Sequence, residues 1–303
     1  MSVKRIVTIY LLSAASSIIL FQSVFLSMLT PCPQIFCYLR LGRWAGLSLP
    51  LFLFIAFSFL GQKVGLGYLL QFGILGVLIS ESIYRRYSVE KSFILSVSVV
   101  VVLVLLLLGH YASTENLSTG ETVKMFTEKV IGQSISLNER AGMSVAQVKA
   151  LKDLAPAIGD VLSQLYPSLL VVAVLITLWL NVMVLSRIFL RMGLDAPFRN
   201  LSSWKAPEPL VWAVVLSGIS FFVDVPTLKV IGMNLLVVLF TIYFFQGMAI
   251  ISFYFNKKKV AGLLKGFLYV LIVWYLGALV ALVGLFDTWA DFRKLSKPKD
   301  SET

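Results

Sequence analysis

The sequence predicts an all-α fold, a polytopic transmembrane helical bundle of about eight helices. Of its 303 residues, 58% are hydrophobic and only 14% are charged, and the mean hydropathy is +0.90. Soluble domains are about 45–50% apolar and roughly 25% charged, so this chain has too few ionisable side chains to cover a water-exposed surface. Its apolar residues form long continuous runs and not short alternating strands, which excludes a transmembrane β-barrel.

Eight apolar segments approach the length of about 20 residues that a membrane-spanning helix needs. They are residues 6–29, 44–60, 64–80, 92–111, 166–186, 210–224, 228–254 and 266–287. The segments 44–60, 64–80 and 210–224 are short enough to be oblique, broken or incompletely spanning. The first segment is longer than the apolar core of a signal peptide, so we interpret it as a retained first helix.

Basic residues are concentrated in three short loops, which predicts that these loops lie on the cytoplasmic side. The loops are residues 85–91, 187–205 and 257–265. Two apolar segments separate each loop from the next, so all three can share that side. The N-terminus, with Lys4 and Arg5, also lies there if residues 31–43 form a short half-helix that re-enters the membrane. The charges after residue 287 are balanced, and the side of the C-terminus stays open.

The chain is predicted to be a single membrane domain, residues 1–303, with an extracytoplasmic insert at residues 112–165. Capping-box spacing at Ser118 and Ser144 predicts two amphipathic helices in this insert. Pro156 is expected to mark the bend into the next membrane-crossing helix. Three interpretations of the insert remain open: a lid over an outward-facing cavity, a docking face for a partner, and a helical hairpin on the lipid headgroups.

Polar side chains inside apolar segments are costly in a bilayer and are therefore the natural candidates for function. The candidates for substrate binding are Asn181, Asn234 and Gln246. The alternative interpretation is that they make hydrogen bonds between helices. Asp224 and Lys229 flank a proline and are interpreted as a local ion pair that closes a turn.

The sequence carries no signature of enzymatic chemistry. Its two cysteines, Cys32 and Cys37, and its one histidine, His110, cannot form a Cys/His zinc site or a disulfide framework. It contains no Walker A loop, nucleophile elbow, zinc-protease or dinucleotide motif. We therefore predict no catalytic residue, no metal site and no cofactor, and a chain that is not an enzyme. The net charge of +11 belongs largely to loops beside apolar runs, so nucleic acid is not expected as a partner.

Several local patterns resemble a known family of membrane proteins. They are Pro31-Cys32-Pro33, Arg40-Leu41-Gly42, Arg85-Arg86, Arg187 to Gly193, Trp204 to Pro207, Ile231 to Asn234, Phe245 to Gly247, and Gly284 to Arg293. In this order and spacing they resemble the YybS-like family of predicted bacterial membrane proteins, which is classed as a domain of unknown function. The resemblance covers nearly the whole chain except the insert at 112–165.

That family is grouped by remote similarity with the substrate-binding subunits of energy-coupling-factor vitamin transporters. Those subunits bind a small molecule near the outer face and dock on a transmembrane coupling protein with paired ATPases. The resemblance thus implies a substrate-binding or transport module in the bacterial cytoplasmic (inner) membrane, with the lipid bilayer, a small-molecule ligand and such a coupling protein as partners. The chain departs from that group in its extra C-terminal helices and larger outer insert. The alternative is a non-catalytic membrane scaffold or assembly protein that recruits partners through its basic cytoplasmic loops.

Overall fold

The computed structural model is all-helical, which confirms the predicted fold class. It describes residues 2–23, 26–198 and 201–295, and within these ranges there are ten helices and no strand. The helices are α1 (Val3–Gln22), α2 (Pro31–Leu41), α3 (Arg43–Ser58), α4 (Gln62–Tyr84), α5 (Val89–Thr114), α6 (Thr119–Arg140), α7 (Val145–Arg191), α8 (Leu210–Ile219), α9 (Pro226–Lys257) and α10 (Gly262–Ala290).

Six of these helices, α1, α4, α5, α7, α9 and α10, are long and apolar enough to cross a membrane. Two further apolar helices are shorter, Arg43–Ser58 and Leu210–Phe222, where a 3₁₀ turn extends α8. Two of the three segments predicted to be short are therefore confirmed. The third is longer than predicted, because α4 extends from Gln62 to Tyr84 and so includes polar residues at both ends of the apolar run. Within it, the Ser80 hydroxyl donates a hydrogen bond of 2.6 Å to the Gly76 carbonyl of its own helix.

The chain forms two compact units. The first contains residues 1–107 and 173–199, and the second contains residues 108–172 and 200–303. The first unit thus includes α1 to α4, most of α5 and the C-terminal part of α7. The second includes α6, the N-terminal part of α7, and α8 to α10.

The half-helix predicted at residues 31–43 is present as α2, whose first position is Pro31. Eleven helical residues span only about 16 Å, roughly half of a bilayer core. The helix ends because Gly42 adopts a φ of +97°, a left-handed conformation that favours glycine. Its Cys37 and Tyr38 side chains are buried against neighbouring helices, so protein packing covers this short element.

The first predicted segment, 6–29, is not one helix. α1 ends at Gln22, where Ser23 adopts an extended conformation and its hydroxyl accepts a hydrogen bond of 3.2 Å from the Leu26 N–H. A separate 3₁₀ turn follows at Ser27–Leu29. Local bonding by a serine side chain competes with the helical ladder and explains why the helix ends before its apolar run does.

Both predicted capping boxes are confirmed. The Ser118 hydroxyl accepts from the Glu121 N–H at 3.2 Å, and the Glu121 carboxylate accepts from the Ser118 N–H at 2.8 Å. The same reciprocal pair joins Ser144 and Gln147. These boxes start α6 and α7.

Two ion pairs join α6 to the N-terminal part of α7. Lys152 lies 2.8 Å from Glu139, and Lys124 lies 3.2 Å from Asp160. Exposed pairs of this kind add little stability individually, but their order along both helices shows that α6 and α7 form an antiparallel hairpin.

α7 does not end at Pro156, where the sequence predicted a bend between two elements. It continues from Val145 to Arg191 as one helix of 47 residues that contains Pro156 and Pro167. At 1.5 Å per residue its length is about 70 Å, more than twice the thickness of a bilayer core. The second helix of the insert and the membrane span at 166–186 are therefore a single element.

Helices α9 and α10 approach closely where each carries a glycine. A Cβ atom on Gly284 would overlap the carbonyl oxygen of Tyr243, and one on Gly247 would overlap that of Val280. Glycine at both positions permits backbone contact between the helices, as small residues commonly do in membrane proteins.

We expect Gly284→Ala to lower the free energy of unfolding by about 1–3 kcal/mol, because its methyl group has to displace the α9 backbone. Gly266→Ala is the matched control in the same helix, since a Cβ there meets nothing within 4 Å. The control should leave stability unchanged or raise it by up to about 1 kcal/mol. Unfolding of the detergent-solubilised chain measures both; equal losses would contradict close packing at Gly284.

The cap of α6 should also weaken in acid. The Ser118 hydroxyl and backbone N–H donate to the Glu121 carboxylate and hold its pKa below the usual 4.5. The cap therefore stabilises the helix above that value and is lost as the pH falls through the lowered pKa. Amide hydrogen exchange in the first turn of α6, from neutral pH to about pH 3, should show this loss relative to Glu121→Gln, whose amide does not titrate. Identical pH dependence in the two proteins would contradict it.

Candidate functional site

A cavity of about 240 Å³ lies in the first unit, at the end of α1. It is lined by Phe21, Gln22, Ser23, Ser27, Gln71 and Phe72. Phe72 is buried and forms part of the floor, whereas Gln22 and Gln71 are exposed at the rim. The cavity therefore combines an aromatic floor with hydrogen-bonding groups at its mouth, an arrangement that can hold a small molecule.

The floor belongs to a cluster of four aromatic rings. The ring of Phe21 stands edge-on to those of Phe72 and Tyr68, with centroids 6.1 Å and 5.6 Å apart. Phe57 lies 4.4 Å from Phe21 and 5.0 Å from Tyr68. These rings come from α1, α3 and α4, so the floor is fixed by packing among three helices.

An irregular turn of α4 presents Gln71 and Phe72 to the cavity. Residues Leu69–Gly73 form a π-helical turn, which inserts one extra residue per hydrogen-bonded ring and is frequent at functional sites. The buried amide of Gln34 donates a hydrogen bond of 3.0 Å to the Gly73 carbonyl. This bond from α2 supports the turn from the side opposite solvent.

Asn181, one of the three predicted candidates, lies behind the cavity wall. Its side-chain amide donates to the Met28 carbonyl at 2.7 Å and to the Thr177 carbonyl of α7 at 2.7 Å. Met28 belongs to the 3₁₀ turn whose Ser27 lines the cavity. The Thr30 hydroxyl also donates to the Ser27 carbonyl, at 2.6 Å. Asn181 thus positions the wall and does not line the cavity.

The charged groups of α4 lie away from the cavity. Glu81 pairs with Arg85 at 2.8 Å and with Arg43 at 3.2 Å, and it accepts a hydrogen bond from the Tyr38 hydroxyl. Glu81 follows Gln71 by ten residues, about 15 Å along the helix. The six lining residues themselves carry no charge.

Asn234, the second predicted candidate, bonds two backbone groups of α7 that lack their regular helical hydrogen bond. The i→i−4 bond between the Ser168 N–H and the Gln164 carbonyl is replaced by the Asn234 amide, which accepts from Ser168 at 3.0 Å and donates to Gln164 at 2.8 Å. The missing bond adjoins Pro167, which has no N–H and crowds the preceding turn. One side chain of α9 thereby satisfies two backbone groups that the proline displaces.

Gln246, the third candidate, joins a buried ion pair. Arg293 lies 2.8 Å from Asp287, and both side chains are fully shielded from solvent. The Gln246 amide donates to the same Asp287 oxygen at 3.0 Å and accepts from the Ala206 N–H at 2.9 Å. α9 has no charged residue between Lys229 and Lys257, so this polar cluster lies within the apolar part of the helix.

The same cluster fixes the segment after α10. The Arg293 guanidinium donates to the carbonyls of Ser202 and Trp204 at 2.8 Å and 3.0 Å. Beside it, Lys205 pairs with Asp291 at 2.8 Å. These bonds hold residues 291–295 against the turn at 201–205. The hydropathy pattern shows both segments only as polar ends of apolar runs.

The three candidates do not form one site. Asn181 belongs to the first unit, while Asn234 and Gln246 belong to the second and lie about 18 Å apart along α9. All three make hydrogen bonds to other helices or turns, and their role in substrate binding stays a prediction. The predicted ion pair of Asp224 and Lys229 is present at 3.1 Å.

Sequence reasoning missed the cavity residue Gln71 and the ion pair of Asp287 with Arg293. A signal for Asp287 existed, because it is the first charge after an uncharged run that follows Lys265. Nothing comparable marked Gln71, whose exposure to the cavity depends on the π-helical turn. As a whole the cavity can bind through ring contacts and neutral hydrogen bonds.

Comparison with known proteins gives one family match. Residues 6–288 match the family described as "Predicted membrane protein (DUF2232)". No curated protein and no solved structure matches the chain.

The buried ion pair leads to a prediction about the stability of the second unit. Arg293→Met should lower the free energy of unfolding by about 3–5 kcal/mol, because it leaves the Asp287 carboxylate buried and unpaired. The double variant Asp287→Asn/Arg293→Met removes that charge and should recover most of the loss. Lys294→Met removes an exposed positive charge at the neighbouring position and should change the free energy of unfolding by less than about 0.5 kcal/mol. A double variant as unstable as Arg293→Met would contradict the pairing; unfolding in detergent micelles measures all three.

Proposed function

We propose that this chain, which belongs to the DUF2232 family of predicted membrane proteins, is a substrate-binding or transport module for a small molecule. Six long apolar helices place it in contact with the lipid bilayer. The cavity at the end of α1 is the observation that carries the proposal. Its aromatic floor, polar rim and lack of charge suit reversible binding of a small ligand.

The distribution of basic residues supports an outward-facing cavity. α1 begins beside Lys4 and Arg5, which favour a cytoplasmic N-terminus. Its 20 residues span about 30 Å, the thickness of a bilayer core, so Gln22, at one edge of the cavity, lies toward the opposite, extracytoplasmic surface. This is the side from which an imported molecule arrives.

We also propose that the chain acts without catalysis. Its buried carboxylate, Asp287, is held by Arg293, and both cysteine thiols are buried. No group of three or more potential metal ligands occurs among the described residues. These features support a role in binding without catalysis.

The bacterial cytoplasmic membrane and a transmembrane coupling protein with ATPases belong to the same proposal. Their support is the resemblance of the sequence to substrate-binding subunits of energy-coupling-factor transporters, an analogy at the level of fold. A binding subunit without its own energy source needs such a partner to move its ligand.

One observation favours the alternative function, a membrane scaffold. Lys257, Lys258 and Lys259 are all exposed in the turn between α9 and α10, where they are accessible to an acidic protein. If the chain is a scaffold, a substitution that fills the cavity should leave its partners bound. If the chain is a binding module, the same substitution should displace its ligand.

Gln71→Trp should fill the cavity mouth and displace the ligand. In native mass spectrometry of the full chain in lipid nanodiscs, we expect the wild-type protein to carry a bound small molecule. The variant should show occupancy reduced about tenfold or more, equivalent to at least about 1.4 kcal/mol of binding free energy.

The matched control is Gln62→Trp, the same substitution at an exposed position of the same helix outside the cavity. It should retain wild-type occupancy. The proposal is wrong if the wild-type chain carries no small molecule, or if both variants retain it equally.

A further inference from the structure

We infer that the cavity selects a small, neutral aromatic molecule that carries an amide-like hydrogen-bonding group. This inference rests on the proposed binding function and names the chemical class of its ligand. It follows from the charge, ring geometry and size of the cavity.

The lining disfavours an ionic ligand. The polar groups of its described lining residues are neutral: the amides of Gln22 and Gln71 and the hydroxyls of Ser23 and Ser27. An ion that leaves water needs a counter-charge or loses its hydration without compensation. On α4, Lys63 precedes Gln71 by eight residues, about 12 Å along the helix, which exceeds the screening length of about 8 Å at physiological salt.

The same groups suit a planar amide. A glutamine side chain presents a carbonyl acceptor beside an NH₂ donor, and a ligand amide presents the complementary pair. Gln22 is at the end of α1, and Gln71 is in the π-helical turn of α4, so two such groups reach the rim from separate helices. The serine hydroxyls can donate or accept as the ligand requires.

The floor favours an aromatic ring. Phe21 is half-buried and lines the cavity, whereas Phe72 is buried and contacts the Phe21 ring edge to face, at an interplanar angle of 83°. Aromatic rings prefer edge-to-face or offset contacts, and a flat ligand can make such a contact with Phe21. An aliphatic ligand of equal size would gain burial without these directional contacts.

The volume suits a small ligand. At about 240 Å³ the cavity is below the range of roughly 300–1,000 Å³ that is typical of drug-sized ligands. A substituted six-membered ring fits this space.

Three probes of similar shape but different charge test the class: benzamide, benzoate and benzylammonium. Binding of each to the full chain in lipid nanodiscs is measured by isothermal titration calorimetry, and empty nanodiscs provide the correction for partition into lipid. We expect benzamide to bind at least about tenfold more tightly than either ion. Gln71→Leu should weaken benzamide binding about tenfold, and Gln62→Leu should leave it unchanged.

The possible outcomes distinguish a wrong ligand class from a wrong proposed function. Equal or tighter binding of benzoate or benzylammonium overturns the neutral class, as does benzamide binding that Gln71→Leu does not weaken. If no probe binds but Gln71→Trp still displaces a co-purified molecule, the class is wrong and the binding function stands. If no probe binds and Gln71→Trp displaces nothing, both are wrong.

Discussion

The second unit depends on one ion pair, Asp287 with Arg293, from which water is fully excluded. A buried charge is tolerated only when a partner and further hydrogen bonds replace its hydration. Gln246 and the carbonyls of Ser202 and Trp204 supply those bonds. The pair therefore joins the turn at 201–205 to the segment after α10, because the Arg293 guanidinium bonds both Asp287 and the carbonyls of that turn.

The same constraint explains the other irregular elements of the chain. Backbone groups that leave a regular helix in a membrane protein need a partner from the protein or from water in a cavity. At the break beside Pro167 the partner is Asn234, and at the π-helical turn of α4 it is Gln34. The 3₁₀ turn after α1 is held by Asn181. Two of these three irregular elements border the cavity, where a ligand can use the exposed side chains.

The hydropathy pattern was sufficient to predict the fold class, and local chemistry predicted the caps at Ser118 and Ser144, the half-helix at Pro31 and the ion pair of Asp224 with Lys229. These features depend on residues close together in the chain. The cavity and the Arg293 cluster do not. Phe21 meets Phe72, and Ser202 meets Arg293, only after distant helices pack, and no periodicity within one segment contains that information. Proline favours a helix boundary, so the sequence predicts a bend at Pro156 and misses the continuity of α7. In the structure the helix continues through Pro156.

The position of Arg293 has a consequence for biosynthesis. Ser202 precedes it by 91 residues, so the ribosome exports the turn at 201–205 long before its permanent partner exists. Gln246 is likewise translated 41 residues before its partner Asp287. During that interval these polar groups have to be satisfied by water, lipid headgroups or the insertion machinery. The second unit therefore reaches its final arrangement only after α10 has emerged and the segment that follows it folds back.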